Sequence, residues 1–541
     1  MKQQWLIKHQ RSFLLALLIL AAVLRFYAID FGKPYLYHPD EIKLTAQAGR
    51  LLNAKFMDKQ AFFGIQVYPP FYTYMLSGFL VIPIGFGLLT GQYESLQAVK
   101  AVFENNPFTF YLWSRILVAL LGIMTIWILY RLGKKLYDEK LGLLAALLLS
   151  VNFLHVRNSH FGTVDVPATF FGVLSLYGCA FMLQDSKMRH YLLTAIVMGV
   201  AVATKFSMVF LALPFIFAHF AQVHPRQWLK HSVDKRFLSG VFTGIISLLI
   251  ACPLFWLDFN ETWGGIVGTH RFEQVGKIGS GGGFLSYWTG NQAPGFGVFY
   301  PNSIPATFGI LLTILVIVGL IVQLVRHRKA DLLILTFVLP TYFMFEDMSI
   351  KAMRHLIPLV PFFMIAGAAS LSWLYSKMKN SRKAWIVIAV IVAIAGTENA
   401  LHSLIYMKRL SQTDPRTKVS AWIKKNIPED ATIFVESFPP TMLLSNESRY
   451  QINTTDLNRK SLKVTNELKK LLKSCDYCYY ISDSFTRQTF EWKDTSLRYP
   501  EIARDRLEFF QWISQNKKIK TFASQNSSLQ PTIHIYKIEH E

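Results

Sequence analysis

Seven consecutive residues, Tyr37-His38-Pro39-Asp40-Glu41-Ile42-Lys43, follow the first long apolar run of the chain. Adjacent carboxylates beside a membrane surface repel each other and are costly to desolvate, so a local cation or a proton in transit is the natural reason for them. Asp40 and Glu41 are thus candidates for general acid/base work. The pair also suits the first turn of a helix, where acids favour the dipole, and the local sequence leaves both accounts open. A second cluster runs from His155 to Asp165 and puts two His, an Arg and an Asp into eleven residues between two apolar runs. Arg157 and His155 could snorkel to the interface and Asp165 could cap the next helix. Thr163 is equally able to cap, however, which leaves Asp165 in excess of structural need.

Isolated cations complete the set. Arg115 lies near the start of one apolar run, Lys205 interrupts another, and Arg354 opens a third within Lys351-Ala352-Met353-Arg354-His355-Leu356-Ile357-Pro358. Charges at membrane depth are rare and usually face a cavity. With Lys43 they would suit a phosphate held at headgroup level, although snorkelling accounts for any one of them taken alone.

These residues must be positioned by membrane helices. Of 541 residues, 52% are hydrophobic and 17% charged, which excludes a disordered chain and argues against an ordinary soluble enzyme. Apolar runs of membrane length recur as far as residue 410, and a span needs about 20 helical residues. The run Tyr191 to Phe220 is too long for one crossing and breaks at Thr204-Lys205-Phe206-Ser207. Eleven crossings from a cytoplasmic N-terminus leave 20 basic against 5 acidic residues in the cytoplasmic segments, as the positive-inside rule requires. Most of the net charge of +22 is therefore an orientation signal, and no nucleic-acid partner is expected. The same rule makes Phe71 to Leu89 an interfacial or re-entrant helix, since a crossing there would put Arg131, Lys134 and Lys135 outside. Residues 30–110 become one extracytoplasmic loop, and the N-terminal run, with no small-residue cleavage site after it, is an uncleaved helix.

Residues 411–541 carry 20 basic and 16 acidic residues, and their apolar runs shrink to strand length. Strand patterns at Ala431 to Val435, Tyr477 to Ile481 and Thr532 to Tyr536 alternate with helical ones, which predicts a small extracytoplasmic α/β domain. Cys475 and Cys478 could form a disulfide or half a metal site. Their context instead predicts entry into a strand, where positions three apart face opposite sides.

The ordered motifs resemble the membrane glycosyltransferases of the GT-C class. More narrowly they resemble the dolichyl-phosphate-mannose protein mannosyltransferase and lipid A aminoarabinose transferase family, in its bacterial form. The resemblance rests on Asp40-Glu41 with Lys43, Pro69-Pro70, Ser114-Arg115, Ser159-His160-Phe161-Gly162 with Asp165, Ala203-Thr204-Lys205-Phe206, and Arg354-His355-Leu356-Ile357-Pro358. It spans about 400 residues, the membrane domain 1–410. It implies Asp40 as catalytic carboxylate with Glu41 beside it, and Lys43, Arg115, Lys205 and Arg354 on the donor phosphate. Asp165, His160 and Tyr68 would position substrate. The donor would be a polyprenyl-phosphate sugar, probed from the outer face of an inner membrane, and the sugar would be inverted on transfer to a hydroxyl-bearing protein, lipid or glycan. The C-terminal domain resembles those of bacterial members and lacks the β-trefoil repeats of eukaryotic mannosyltransferases, which implies undecaprenyl phosphate as carrier.

Two departures matter. Aminoarabinose transferases carry an acid and a lysine where this chain reads Gln66-Val67-Tyr68-Pro69-Pro70, so that subgroup's acidic metal ligand and one phosphate-binding lysine are missing at this motif; a divalent metal stays open, and the sequence supports neither it nor another cofactor. The loop 258–302 holds His270-Arg271 and Gly281-Gly282-Gly283, which suit a mobile cover over a cavity better than a phosphate loop. A secondary transporter would show two related halves, which the sequence lacks, and a non-enzymatic envelope assembly protein is the other alternative.

Overall fold

The computed structural model describes residues 2–53, 68–253, 303–348, 351–379, 381–436, 450–455, 461–475, 477–491, 499–523 and 531–538, with a few positions between them, among them 285–289. The loop residues His270, Arg271 and Gly281 to Gly283 lie outside the described residues.

The chain is a multi-pass helical membrane protein. Among the described residues, five helical stretches are long and apolar enough to cross a bilayer: Phe71–Leu89, Phe108–Leu136, Asp165–Gln184, Met353–Lys377 and the run Arg382–Asn426. A sixth arises if Phe206–Phe220 and Pro225–His231, bent by 103°, count as one span, and Met188–Thr204 and Ile310–Arg326 are shorter apolar helices. Phe71–Leu89, which charge sidedness assigns to the interface, is long and apolar enough to span.

The breaks between helices fall where the polar motifs stand. Met188–Thr204 stops at Lys205, whose extended backbone leads into a tight 3-10 segment Phe206–Leu211 and then Ala212–Phe220. Arg354 likewise sits in a 3-10 segment, Met353–Leu359, ahead of Val360–Lys377. Asp40 and Glu41 occupy the first turn of a short helix, Pro39–Asn53. Asn152 caps Phe153–Asn158, its side chain accepting from the His155 amide at 3.1 Å.

Close helix contacts hold this frame. A Cβ at Gly133 would come within 2.7 Å of the Gly142 Cα, so Phe108–Leu136 and Glu139–Val151 meet backbone to backbone. Arg25, fully buried at the end of the first helix Lys2–Phe26, donates to the carbonyls of Ala21 and Ser150 at 3.1 Å and to His155 Nδ1 at 3.0 Å. Its charge is met there by the C-terminal carbonyls of two helices. His155 must then carry its proton on Nε2, which assigns it to the frame.

The C-terminal residues form a five-stranded mixed sheet: β1 (Thr432–Val435), β2 (Gln451–Thr454), β3 (Cys478–Asp483), β4 (Lys517–Phe522) and β5 (Ile533–Lys537), in the order β2-β1-β3-β5-β4. β1 runs parallel to β2 and β3, while β5 is antiparallel to β3 and β4. Alternate residues serve opposite faces. Ile433, Val435, Tyr479 and Ile481 pack with Val419 and Ile423 of the helix Pro415–Asn426, and Phe434 and Tyr480 pack with Leu468, Leu472, Phe509 and Phe510 on the other side. All six residues of β3 are buried, as befits a strand covered on both faces.

One expectation is corrected here. Cys475 and Cys478 form a disulfide with a Cα separation of 5.8 Å, a span such bridges require. The strand begins only at Cys478, so Cys475 lies in the turn after the helix Lys463–Lys473 and strand alternation does not apply to it. A bridge across three residues restrains little chain, so Cys475→Ser is expected to cost no more than about 2 kcal/mol. Thermal melting of the full-length protein should show a drop of a few degrees at most.

Candidate active site

Glu41 is the innermost residue of the polar region. Its carboxylate accepts two parallel hydrogen bonds from Arg115, from Nε at 2.8 Å and Nη2 at 3.0 Å, and a third from the Gly162 amide at 2.8 Å. Both side chains are 1% exposed or less. Arg115 also donates to the carbonyls of Ile29 and Phe31, at 3.0 and 2.9 Å, and its guanidinium lies 3.8 Å over the Phe31 ring. A side chain at Gly162 would overlap the Ser114 hydroxyl, so only glycine lets this amide reach Glu41. Adjacent residues on a helix point about 100° apart, which is how Glu41 turns toward Arg115 while Asp40 turns toward Arg354.

Asp40 forms an ion pair with Arg354, and the Tyr68 hydroxyl lies 3.5 Å from the same carboxylate oxygen. Asp40 and Arg354 remain 17% and 29% exposed, which separates this pair from the sealed one beneath it. Burial alone would push the Asp40 carboxyl up, but the charges of Arg354, His38 and Lys43 together outweigh it and hold the group below the usual carboxylate range. Lys43, one helical turn along, is exposed.

Asp165 accepts from Lys205 at 2.7 Å. Arg157, which the sequence allowed to snorkel, is buried and stands within electrostatic reach of both Asp165 and Arg354. It belongs to the same cluster. The density of charge in residues 155–165 was the available signal for it, since an Arg at an interface and an Arg folded inward look alike in sequence.

His160 is enclosed by backbone, with Nδ1 2.9 Å from the Val156 carbonyl and Nε2 3.1 Å from that of Tyr27. Burial brings its imidazole down to about 4, so it is neutral at ordinary pH. The His38 ring lies on Phe161 at 4.7 Å, and burial lowers its proton affinity too, against the pull of Glu41 and Asp40.

The C-terminal part reaches this region through Tyr37. Arg416 stacks its guanidinium 3.9 Å over the Tyr37 ring, and the Tyr37 hydroxyl bonds to that of Thr417. Asp414 fixes Arg416 by two bonds of 2.8 Å. A cleft between the two parts is lined by Tyr37, His38, Phe161, Tyr406, Arg409 and Arg416, among others.

The structure therefore brings Asp40, Lys43, Tyr68, Asp165, Lys205 and Arg354 to one region with Arg157. It places Glu41, Arg115 and His160 in the wall behind. The donors of Arg115 are taken up by Glu41 and backbone carbonyls, and His160 presents no ring nitrogen clear of a carbonyl. Among the described residues, no three His, Cys, Asp or Glu side chains converge as a metal site would need.

A model of the family described as dolichyl-phosphate-mannose-protein mannosyltransferase matches residues 96–256. Among solved structures, ArnT from Cupriavidus metallidurans bound to undecaprenyl phosphate has a TM-score of 0.57 at 13% identity, over 97% of this chain and 98% of that one. The archaeal oligosaccharyltransferase AglB from Archaeoglobus fulgidus, in complex with an inhibitory peptide and a dolichol-phosphate, has a TM-score of 0.56 at 12% identity, over 91% of this chain and 72% of that one. A search among curated proteins returns no match. At such identities the structural likeness is one of fold.

Removing one partner of a sealed ion pair leaves a buried charge uncompensated. Glu41→Gln and Arg115→Met should each lower stability by about 3–5 kcal/mol, and the double variant should recover much of that loss. Thermal melting of the purified protein in detergent measures all three.

Proposed function

We propose that this chain, a membrane glycosyltransferase of the GT-C class akin to protein mannosyltransferases, transfers a sugar from a polyprenyl-phosphate donor to a hydroxyl acceptor. The carrier is undecaprenyl phosphate, and the reaction takes place on the extracytoplasmic face of an inner membrane. Eleven crossings, a cytoplasmic N-terminus and an extracytoplasmic domain at 411–541 belong to the same proposal.

One observation carries it. Outside the sealed Glu41–Arg115 pair, and among the described residues, the region holds four cations, Lys43, Arg157, Lys205 and Arg354, against two carboxylates, Asp40 and Asp165. A surplus of two positive charges suits a phosphate. A glycosyl phosphodiester carries one negative charge, and the departing phosphate monoester carries up to about two. The added charge develops as the glycosidic bond breaks, so a preorganised surplus favours the transition state over the bound donor.

In the proposed reaction the acceptor oxygen attacks the anomeric carbon as Asp40 takes its proton. The bond from that carbon to the phosphate oxygen breaks, and the phosphate keeps the electron pair. Attack from the face opposite the leaving group inverts the anomeric centre. One base suffices because the phosphate is already a stable leaving group. In the resting pair Asp40 is a weak base, since Arg354 stabilises its ionised form. When the donor phosphate draws Arg354 away, the proton affinity of Asp40 rises, so donor binding activates the base. Asp165 holds Lys205 at the same depth, Tyr68 and Lys43 border the base, and Glu41 and Arg115 hold the wall.

With purified protein, a radiolabelled polyprenyl-phosphate sugar and membrane extract, Asp40→Asn should slow transfer by about 10²- to 10⁴-fold. Equal transfer by both forms would remove Asp40 from the chemistry, and counterflow of free substrate in liposomes would favour a transporter. The pH profile gives a second check. Asp40 must be ionised to act, and Arg354 keeps it ionised to unusually low pH. Replacing Arg354 by Gln should therefore move the acid limb of kcat/KM to higher pH.

A further inference from the structure

The chain just before Arg354 is tied down by a pair that faces into the protein. Lys351, three positions earlier, directs its ammonium into the protein, donating to the Glu346 carbonyl at 2.6 Å and to Glu346 Oε2 at 2.8 Å. Both side chains are about 1% exposed. Glu346 lies at the end of Lys329–Asp347, so the bond joins that helix to the chain two residues ahead of the 3-10 segment Met353–Leu359 that carries Arg354. The other carboxylate oxygen of Glu346 accepts from the Tyr342 hydroxyl, and that hydroxyl accepts from Trp288 Nε1 at 2.7 Å.

The direction of this chain is fixed by chemistry. An indole nitrogen and an ammonium can only donate, so Trp288 donates to Tyr342, Tyr342 donates to Glu346, and Lys351 donates to Glu346. A second set of contacts leads from the same short helix, Ser286–Thr289, toward the other cation. The Tyr287 hydroxyl lies 3.4 Å from His355 Nδ1, Phe345 stacks on His355 at 5.8 Å, and the Lys205 ammonium sits 5.8 Å from the centre of the Phe345 ring. Trp288 and Tyr287 thus lead to Arg354 and Lys205 respectively.

We propose that Trp288, Tyr342, Glu346 and Lys351 form a positioning relay that sets the Arg354 guanidinium against Asp40. Lys351, though it stands in the same motif as Arg354, is a positioning residue with its charge spent inside the protein. A buried ion pair alone is a poor source of stability, since apolar residues of like volume often serve as well. This one joins the two segments whose relative placement fixes Arg354. Through Trp288 the Ser286–Thr289 helix becomes part of the cation site. The relay rests on the proposed function only for its consequence on the donor, not for its effect on Arg354.

The test uses two variants of the full-length protein, Lys351→Met and Trp288→Phe, the second replacing the indole by a smaller apolar ring that has no N–H. Phenylglyoxal modification of Arg354 is followed by peptide mass spectrometry, with the sealed Arg115 as internal reference. Both variants should label Arg354 about 3- to 10-fold faster than wild type, with Arg115 unchanged. Where Lys351→Met also exposes Arg115, the fold has loosened and Trp288→Phe decides. Unchanged Arg354 labelling in Trp288→Phe overturns the relay. Undecaprenyl phosphate affinity supplies a readout that general loosening would not mimic. Trp288→Phe should weaken binding in the wild-type background and have no further effect in Arg354→Gln, whereas equal losses in both backgrounds overturn the relay. If wild type does not bind undecaprenyl phosphate while Arg354 labelling responds as stated, the donor assignment fails and the relay stands.

Discussion

The sealed pair of Glu41 and Arg115 is the constraint from which the site takes its shape. It joins the first turn of Pro39–Asn53 to the long helix Phe108–Leu136 and, through the Gly162 amide, to the turn before Asp165. Three sequence-distant segments meet on one carboxylate. In a low-dielectric interior, bidentate Arg–carboxylate bonding holds both distance and orientation. Its strength lies in that geometry, because the two charges nearly cancel and contribute little to the field outside. Asp40 is displayed because its neighbour is anchored.

Around that anchor, the remaining charges are shared unequally between structure and chemistry. Asp40 with Arg354 is a direct pair with partial access to solvent, and Asp165 with Lys205 is a direct pair whose acid is buried and whose lysine is slightly open. Glu346 with Lys351 is a third pair and is sealed. Exposure distinguishes the classes better than residue type does. A sealed pair has no surface on which to meet a ligand, while a partly open one can exchange its carboxylate for a phosphate. The 3-10 segments that follow Lys205 and carry Arg354 serve this arrangement, since they interrupt regular helices where a side chain must leave the helical path.

Much of this was legible in the sequence. The break at Lys205, the alternation of strands and helices after residue 411 and the grouping of Lys205 and Arg354 with Lys43 on one face follow from residue types and spacing, while the resemblance implies that Asp40 and Asp165 join them. Pairing was not legible, because Asp40 and Arg354 stand 314 positions apart and either acid of Asp40-Glu41 is an equal partner on paper. The choice depends on helix rotation, which a glycine 121 residues away helps to set. Arg115 shows the same limit, since an arginine near the start of an apolar run reads alike whether it meets a ligand or a buried acid. β2 and β4 escaped notice because their residues are largely exposed and carry little alternation. The disulfide was missed because a shift of a few residues in where a strand begins changes which way two thiols point.

The stacking of Arg416 on Tyr37 has a consequence for how such proteins can change. Tyr37 stands three residues before Asp40, and Arg416 belongs to the first helix after the membrane part. The helix Pro415–Asn426, which packs on the sheet, thus also braces the loop that displays Asp40. A lineage that exchanged this part for another would inherit the carboxylate without its brace. The remote layers of the sheet are then freer to vary than the Asp414-Pro415-Arg416-Thr417 junction, which makes the contact.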